Sequence, residues 1–318
     1  MKSMKAAYFD GSKISVLDYP IPRKGESLVK VRLAGICGTD LEMMRGYASY
    51  IGVLGHEFVG EVAESANKDL IGKRVVGEIN AGCGKCSMCK SGLERHCPQR
   101  TVLGIYKRDG AFAQYLSLPE KNLHAIPDSI SDEQAVFVEP LAAAFEIEEQ
   151  IKIAKDSSIA ILGDGRLAQL IARVLRINHT NITCFGKHQN KLQLLSRLGI
   201  KTSLGILPEN EHTFDVVVEA TGSESGFLDT MRLAKPRGIV VLKSTIASKN
   251  RLDLTSAIVN EINFVGSRCG PFRPAIQALA TGSILVDDLI DSVFPLERLD
   301  DALDAARNPD RLKVLLRP

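Results

Sequence analysis

Four of the chain's seven cysteines stand close together, and their spacing is the strongest chemical signal in the sequence. Cys83, Cys86 and Cys89 repeat every third residue, and Cys97 follows eight residues after Cys89. Three thiols at this spacing can point at one ion from a single loop, and a fourth completes the tetrahedron of structural zinc. A bacterial ferredoxin cluster begins with the same run, but its fourth cysteine follows sooner. Disulfides or unused thiols are further alternatives, and the spacing favours closed zinc.

Three residues from separate segments could form a second metal site that is open to a substrate. Cys37 follows an apolar run, His56 lies in Leu54-Gly-His-Glu-Phe58, and Glu139 has apolar neighbours. A buried carboxylate is costly unless an ion or hydrogen bonds compensate its charge. One Cys, one His and one Glu would leave the fourth position of a zinc ion open, as catalysis requires. The structural alternatives are a small buried apolar side chain for Cys37, a hydrogen-bonded core residue for His56 and a helix cap for Glu139.

A glycine-rich loop follows the predicted strand Ile159–Leu162 and precedes a predicted helix. Its sequence, Gly163-Asp-Gly-Arg-Leu-Ala168, matches the G-x-G-x-x-G/A fingerprint in the required context. The first glycine allows the tight turn, the second lets the backbone approach a pyrophosphate, and the alanine lets helix and strand pack closely. The helix N-terminus then faces the anion. The pattern predicts dinucleotide binding, although glycine loops also join strands to helices for purely structural reasons.

The end of the next predicted strand bears on the choice between NAD and NADP. An enzyme that binds NAD usually places Asp or Glu there to bond the ribose 2′-hydroxyl, but this chain has Gly186, Lys187 and His188. We expect Gly186 to leave space and the two basic side chains to bind a 2′-phosphate. NADP is therefore favoured, with NAD as the alternative. The preference disappears if Lys187 and His188 are only solvated loop residues.

The segments that must position these residues have two kinds of pattern. In about the first 125 residues, short β-branched or alternating runs between Gly, Pro and Asn predict a β-rich region. From Ser158 onward, strands and helices alternate, which predicts right-handed βαβ units and a parallel sheet with helices on both faces. Between the two, Ser131 and Gln134 predict a capping box, and Pro140 is expected to be the first residue of the next helix. We expect the C-terminal strand Val314–Leu316 to rejoin the first domain.

Composition and charge exclude several other classes of protein. The chain has 318 residues, of which 45% are hydrophobic and 25% charged, as in an ordinary globular protein of about two domains. A net charge of +2 gives no reason to expect a nucleic acid or an anionic membrane as partner. No apolar run is long enough for a membrane span, and the N-terminus lacks the apolar core of a signal peptide. Thiols without a secretion signal indicate a cytoplasmic protein.

Together these motifs resemble those of the medium-chain, zinc-dependent alcohol and polyol dehydrogenases, in the branch of the sorbitol, threonine and glucose dehydrogenases. The motifs that match, in the family's order, are Gly35-Ile-Cys-Gly-Thr-Asp40, Gly55-His-Glu57, the four clustered cysteines, Glu139-Pro-Leu141, Gly163–Ala168 and Glu219-Ala-Thr-Gly222. The resemblance implies an α/β protein with a GroES-like β-rich catalytic domain (1–136), a doubly wound Rossmann domain (137–285) and a C-terminal segment (286–318) that returns to the catalytic domain.

The resemblance also implies a role for each matching residue. Cys37, His56 and Glu139 would bind a catalytic zinc and the four clustered cysteines a structural one, giving two zinc ions per chain. Asp40 would hold His56, which fixes its tautomer; Glu57 would lie beside the zinc and exchange with its water. Thr39 matches the hydroxyl residue that takes the substrate proton, but Glu42 stands where many relatives have a relay histidine. The residues expected to contact the dinucleotide are Gly163, Gly165, Arg166, Leu167, Lys187, His188, Ala220, Thr221, Gly222 and Arg268.

The implied activity is hydride transfer between an alcohol (a secondary alcohol, polyol or sugar) and NAD(P). The alternatives are a quinone or enone reductase of the same fold without zinc, and a nucleotide-sensing or nucleic-acid-binding protein without enzymatic activity. The substrate itself is not defined by the sequence. Candidates to line its site, with core packing as the alternative, are Tyr47, Tyr50, Phe58 and Tyr106. Family resemblance implies a homodimer or homotetramer and does not choose between them.

Overall fold

The computed structural model describes residues 3–22, 25–46, 49–244 and 254–318. Contacts divide the chain into two units: unit 1 combines the residues up to Glu139 with Ala275–Pro318, and unit 2 is Pro140–Pro274. Unit 2 thus begins three residues after the predicted start of the Rossmann domain at 137 and ends before its predicted end at 285. Among the helices of the described ranges, none combines the length and the apolar character that crossing a membrane requires.

The strands, in chain order, are β1 (Ser3–Phe9), β2 (Ile14–Pro20), β3 (Ser27–Gly35), β4 (Gly52–Val53), β5 (Glu57–Glu64), β6 (Arg74–Gly77), β7 (Asn80–Ala81), β8 (Thr101–Leu103), β9 (Lys107–Arg108), β10 (Tyr115–Leu118), β11 (Leu123–Ala125), β12 (Ile159–Leu162), β13 (Ile182–Gly186), β14 (Lys201–Leu204), β15 (Phe214–Glu219), β16 (Ala234–Leu242), β17 (Asn263–Gly266), β18 (Ile290–Pro295) and β19 (Lys313–Arg317).

The α-helices are α1 (Gly38–Met44), α2 (Ser87–Lys90), α3 (Asp132–Ala135), α4 (Val138–Gln150), α5 (Arg166–Leu175), α6 (Gln189–Ser196), α7 (Glu224–Leu233), α8 (Thr255–Val259), α9 (Phe272–Ala280) and α10 (Leu299–Arg307). Short 3-10 turns lie at Lys68–Leu70, Glu94–His96, Glu120–Asn122, Pro208–Asn210, Asp287–Leu289 and Leu296–Arg298.

Unit 1 is organised around β3, which is the central strand of its largest sheet. The sheet order is β11-β6-β5-β3-β19-β18, and β10 also pairs with β3. Burial alternates along most of β3, as expected for an antiparallel strand with one face on the core. The C-terminal strand β19 pairs with the end of β3, with Leu315 opposite Gly35, so the C-terminal segment does return to this unit.

The described residues of unit 2 form a parallel sheet in the order β14-β13-β12-β15-β16-β17, with helices in the crossovers. This is the strand order of a doubly wound dinucleotide-binding fold, in which ligands bind at the carboxyl ends of the strands. The central strands are buried almost continuously because both faces are covered. The predicted α/β fold class is therefore confirmed.

The starts of helices α3 and α4 can be compared with those predicted from the sequence. The capping box of α3 is present, with Ser131 and Gln134 each bonding the other's backbone N–H. Helix α4, however, begins at Val138 and not at Pro140. Proline is tolerated here because its missing N–H lies within the first helical turn, where no intrahelical acceptor is available. The earlier start places Glu139 in that same turn.

Candidate active site

The register between β3 and β5 brings Cys37 next to His56. Gly35, the last residue of β3, lies opposite Glu57, the first residue of β5. Cys37 follows as the N-cap of α1, and His56 immediately precedes β5. The ligand atoms of Cys37, His56 and Glu57 consequently all lie within 4.8 Å of one another.

Asp40 fixes the backbone around this group. Its side chain is fully buried, and its two oxygens accept the backbone N–H of Cys37 at 2.8 Å and of Gly55 at 3.2 Å. Asp40 Oδ1 also lies 3.3 Å from Nδ1 of His56, although this contact is not aligned as a hydrogen bond. Asp40 therefore ties the turn before α1 to the residue before His56, as a residue that orients a ligand would.

The electrostatics of the group favour a bound cation. Burial lowers the pKa of His56, but the negative charges of Asp40 and Cys37 outweigh this effect and raise the pKa well above its ordinary value. A site that draws a proton onto a buried imidazole also attracts a metal ion. Thiolate, imidazole and carboxylate are all established zinc ligands, so the donor set fits that metal.

Sequence reasoning missed one residue of this site, Lys313. Its Nζ atom lies 2.5 Å from Oε2 of Glu57, and both side chains are only 1% exposed. Lys313 is in β19, 256 residues from Glu57, and reaches it because β5 and β19 flank the end of β3. The available signal was a lysine inside the apolar run Leu312-Lys-Val-Leu-Leu316, where an unpaired charge would be costly.

The remaining predicted residues of the catalytic site are not part of this group of ligand atoms. Glu139 is half-buried in the first turn of α4 and is not among the ligand atoms grouped within 4.8 Å, so its role as a ligand stays a prediction. Thr39 is half-buried in the first turn of α1. The carboxylate of Glu42 accepts a 2.7 Å hydrogen bond from Arg45.

The four clustered cysteines have the geometry of a tetrathiolate site. Their Sγ atoms all lie within 4.8 Å of one another. Those of Cys86 and Cys97 are 3.6 Å apart. A zinc tetrahedron with bonds of about 2.3 Å has sulfur–sulfur edges of about 3.8 Å, whereas a disulfide requires about 2.05 Å. The spacing fits zinc and does not fit a disulfide.

The environment of these thiols also suits a bound cation. Backbone N–H groups of Lys85 and Cys86 lower the pKa of the Cys83 thiol to about 6. Burial raises the pKa of Cys89 to about 12, and the neighbouring cysteines add to that effect. Four thiols cannot all ionise together without a cation, and a metal ion supplies that charge.

The glycine loop has the conformation that its sequence predicts. Gly163 has φ +121°, and a side chain there would meet the carbonyl oxygen of Ala220 at 2.6 Å. Gly165 is the N-cap of α5, and Ala168 is fully buried in the helix. The carboxyl ends of β12 and β15 therefore meet at a half-buried helix N-terminus, as a pyrophosphate site requires.

One expectation about the neighbouring strand is wrong. The space beside Gly186 is not empty, because the carboxylate of Asp164 fills it. A Cβ atom at position 186 would lie 2.5 Å from Asp164 Oδ2. Lys187 is exposed and His188 half-buried, and the backbone N–H groups of both donate to Asp164.

The other residues predicted to contact the dinucleotide or the substrate differ in their exposure. Thr221 and Gly222 are exposed after β15, where Glu219 Oε1 accepts the Thr221 backbone N–H at 2.7 Å. Arg268 is exposed beyond β17. Tyr50 and Phe58 are core residues at 7% and 3% exposure. Tyr47 lies outside the described residues.

Comparison with known families agrees with this arrangement. Residues 23–128 match the alcohol dehydrogenase GroES-like domain, and residues 132–317 match the glucose dehydrogenase C-terminus. The chain belongs to the zinc-type medium-chain alcohol and polyol dehydrogenases. It is thus an alcohol oxidoreductase.

Individual relatives are similar over nearly the whole chain. D-arabitol-phosphate dehydrogenase of Enterococcus avium is 30% identical, and the match covers 99% of this chain and 96% of the relative. A protein of Sinorhizobium meliloti 1021, described as a zinc-binding dehydrogenase bound to NADP, has a TM-score of 0.90 at 30% identity and covers all of both chains. The RspB alcohol dehydrogenase of Escherichia coli CFT073, in complex with NADH, has a TM-score of 0.88 at 26% identity and covers 99% of each chain.

Proposed function

We propose that this dehydrogenase oxidises a polyol, or reduces the corresponding ketone, with one catalytic and one structural zinc ion and a nicotinamide dinucleotide. The grouping of Cys37, His56 and Glu57 within 4.8 Å carries the proposal, because neither a zinc-free reductase nor a sensor needs these donors together. The polyol class is supported by the arabitol-phosphate relative.

The residues of unit 1 have different roles at the catalytic site. Cys37 and His56 hold the ion. Glu139 would be the third ligand, and Glu57, which has one carboxylate oxygen paired with Lys313, would lie beside the ion. Bound zinc would polarise the alcohol oxygen, and bound dinucleotide would accept the hydride. Thr39, in the turn that carries Cys37, would accept the proton of the alcohol and give up its own hydroxyl proton to Glu42 or to water.

In unit 2, Gly163, Gly165 and the N-terminus of α5 bind the pyrophosphate. The preference for NADP drawn from Lys187 and His188 stays a prediction, since one solved relative binds NADP and another NADH. We further propose a cytoplasmic homo-oligomer. Apolar side chains exposed near the edge strand β17, Val259 at 74% and Phe264 at 36%, support association.

Metal analysis together with turnover tests the proposal. The purified chain should contain about two zinc ions and should oxidise members of a polyol panel with NAD or NADP, read as absorbance of the reduced cofactor. A chain with one zinc ion or none that reduces quinones would instead be a reductase that does not use zinc in catalysis. Cofactor binding without any turnover would indicate a sensor.

A further inference from the structure

The cofactor loop contains an acidic side chain that the proposed function does not use. Asp164 stands between the two glycines of the fingerprint, and its side chain is only 7% exposed. Its Oδ2 atom accepts the backbone N–H of Lys187 at 2.6 Å and of His188 at 2.7 Å. Its Oδ1 atom lies 3.0 Å from Nδ1 of His188. A buried carboxylate with several specific donors is held in one place.

These donors form an anion-binding site that the protein fills itself. Successive backbone N–H groups that converge on one point make a concavity suited to an anion, and the imidazole adds a third donor. Lys187 and His188 are also the residues that the sequence predicts to bind a 2′-phosphate. Because the Asp164 carboxylate already takes both N–H groups, a phosphate would have to displace it or lie against its negative charge.

The position of this carboxylate corresponds to the ribose end of a dinucleotide site. In doubly wound folds, the acid that bonds the ribose 2′-hydroxyl stands about 20 residues after the loop, at the end of the second strand. Here that strand is β13, and it ends in Gly186. Asp164 contacts the two residues that follow and occupies the space beside the glycine. The loop thus places a carboxylate beside the end of a strand that has none of its own.

The charge of Asp164 is retained near neutral pH. Burial works against ionisation, but the hydrogen bonds from His188 and from the Lys187 backbone outweigh it and hold the pKa of Asp164 below its ordinary value. A carboxylate oxygen can accept more than one hydrogen bond, so Oδ1 can still accept one from a ribose hydroxyl.

We propose that Asp164 selects the dinucleotide and favours NADH over NADPH, because its carboxylate accepts a hydrogen bond from the ribose hydroxyl and repels a 2′-phosphate. This inference rests on the proposed function, since it presumes that the loop binds a nicotinamide dinucleotide. It reverses the preference expected from Lys187 and His188 alone.

Calorimetric titration with NADH and NADPH tests the inference without relying on activity. The wild-type chain should bind NADPH at least about tenfold more weakly than NADH, since like charges a few ångströms apart near a protein surface repel strongly. Asp164→Asn should lower this ratio by about tenfold. Asp215→Asn is the matched control. Asp215 also accepts a backbone N–H, from Ser158 at 2.8 Å, but it lies near the start of β15, at the amino ends of the strands and away from the glycine loop. This variant should leave the ratio unchanged.

A second measurement needs no variant. 5′-AMP and 2′,5′-ADP differ only in the 2′-phosphate, and 5′-AMP should displace NADH from the wild-type chain at the lower concentration. Tighter binding of 2′,5′-ADP or NADPH, or an unchanged ratio in Asp164→Asn, would overturn the role of Asp164 while leaving the dehydrogenase intact. Failure of the chain to bind either dinucleotide would instead overturn the proposed function and this inference with it.

Discussion

The two candidate metal sites of unit 1 are built in opposite ways. The cysteine cluster lies within residues 83–97, and local turns bring its four sulfur atoms together. The group of Cys37, His56 and Glu57 depends on the pairing of β3 with β5. The buried positive charge that pairs with Glu57 belongs to Lys313, in β19. One site needs only its own loop, whereas the other needs the whole sheet to be formed.

This difference determines what each ion can do. Four thiolates complete the coordination of zinc, so the cluster has no place for a substrate and acts on stability. The second group offers fewer donors and is held by a rigid sheet, which suits chemistry at an open position. Removing a ligand should therefore have separate consequences at the two sites.

The largest expected effect is on turnover. Cys37→Ala should lower kcat/KM by about 10³-fold or more, because the ion that stabilises the developing charge is lost. Binding of NADH, measured by calorimetry, should stay within about twofold of wild type, since the glycine loop belongs to unit 2. Near-normal turnover in this variant would rule out a catalytic ion at Cys37.

Cys86→Ala should produce the complementary result. Structural zinc supplies on the order of 10 kcal/mol in small zinc-dependent domains. Because this loop is one part of a larger unit, we expect the free energy of unfolding to fall by about 5 kcal/mol, measured in urea. Each variant should retain about one zinc ion per chain. If Cys86→Ala keeps full stability and both ions, the comparison between the sites fails.

The next prediction concerns the buried ion pair between Lys313 and Glu57 at the second site. Lys313→Met should lower the free energy of unfolding by about 3–5 kcal/mol, because it leaves Glu57 charged and unpaired in the core. Adding Glu57→Gln to that variant should restore much of the loss. Recovery in the double variant would separate an unpaired charge from a simple packing defect.

Lys235→Met provides the matched control. Lys235 pairs with Asp215 at 2.9 Å, but both side chains are about 40% exposed. Water screens such a pair, so the loss should be at most about 1 kcal/mol. A similar loss for Lys235→Met and Lys313→Met would show that burial of the Glu57 pair is unimportant.

The same contrast explains how much of the molecule could be predicted from the sequence. The cysteine spacing, the glycine loop and the strands Ile159–Leu162 and Phe214–Glu219 are local patterns, and the structure reproduces them. Lys313 could not be assigned to the site, because its partner is 256 residues away and depends on strand register. The start of α4 was misplaced because proline is tolerated throughout a first turn.

The space at Gly186 was misjudged for a related reason. The sequence shows a glycine followed by two basic residues, and a pocket for phosphate is the natural inference. What fills the space is a side chain from 22 residues earlier, and only the packing of the loop against β13 reveals it. The glycine loop alone thus predicts that a dinucleotide binds. It does not predict which side chains line the end of β13.

The last prediction would identify the third ligand of the second site. Glu139→Gln should weaken zinc binding at this site by more than the roughly 10- to 100-fold that follows loss of an outer-shell partner, measured by competition with a chelator, with the cysteine cluster still loaded. Glu57→Gln should weaken it less, because Lys313 already shares the Glu57 carboxylate. Both variants remove one carboxylate charge from the same unit, so the difference between them reports coordination and not net charge. A larger loss of zinc affinity for Glu57→Gln than for Glu139→Gln would make Glu57 the ligand, as its position in the 4.8 Å group allows. Glu139 would then have only a structural role, in the first turn of α4.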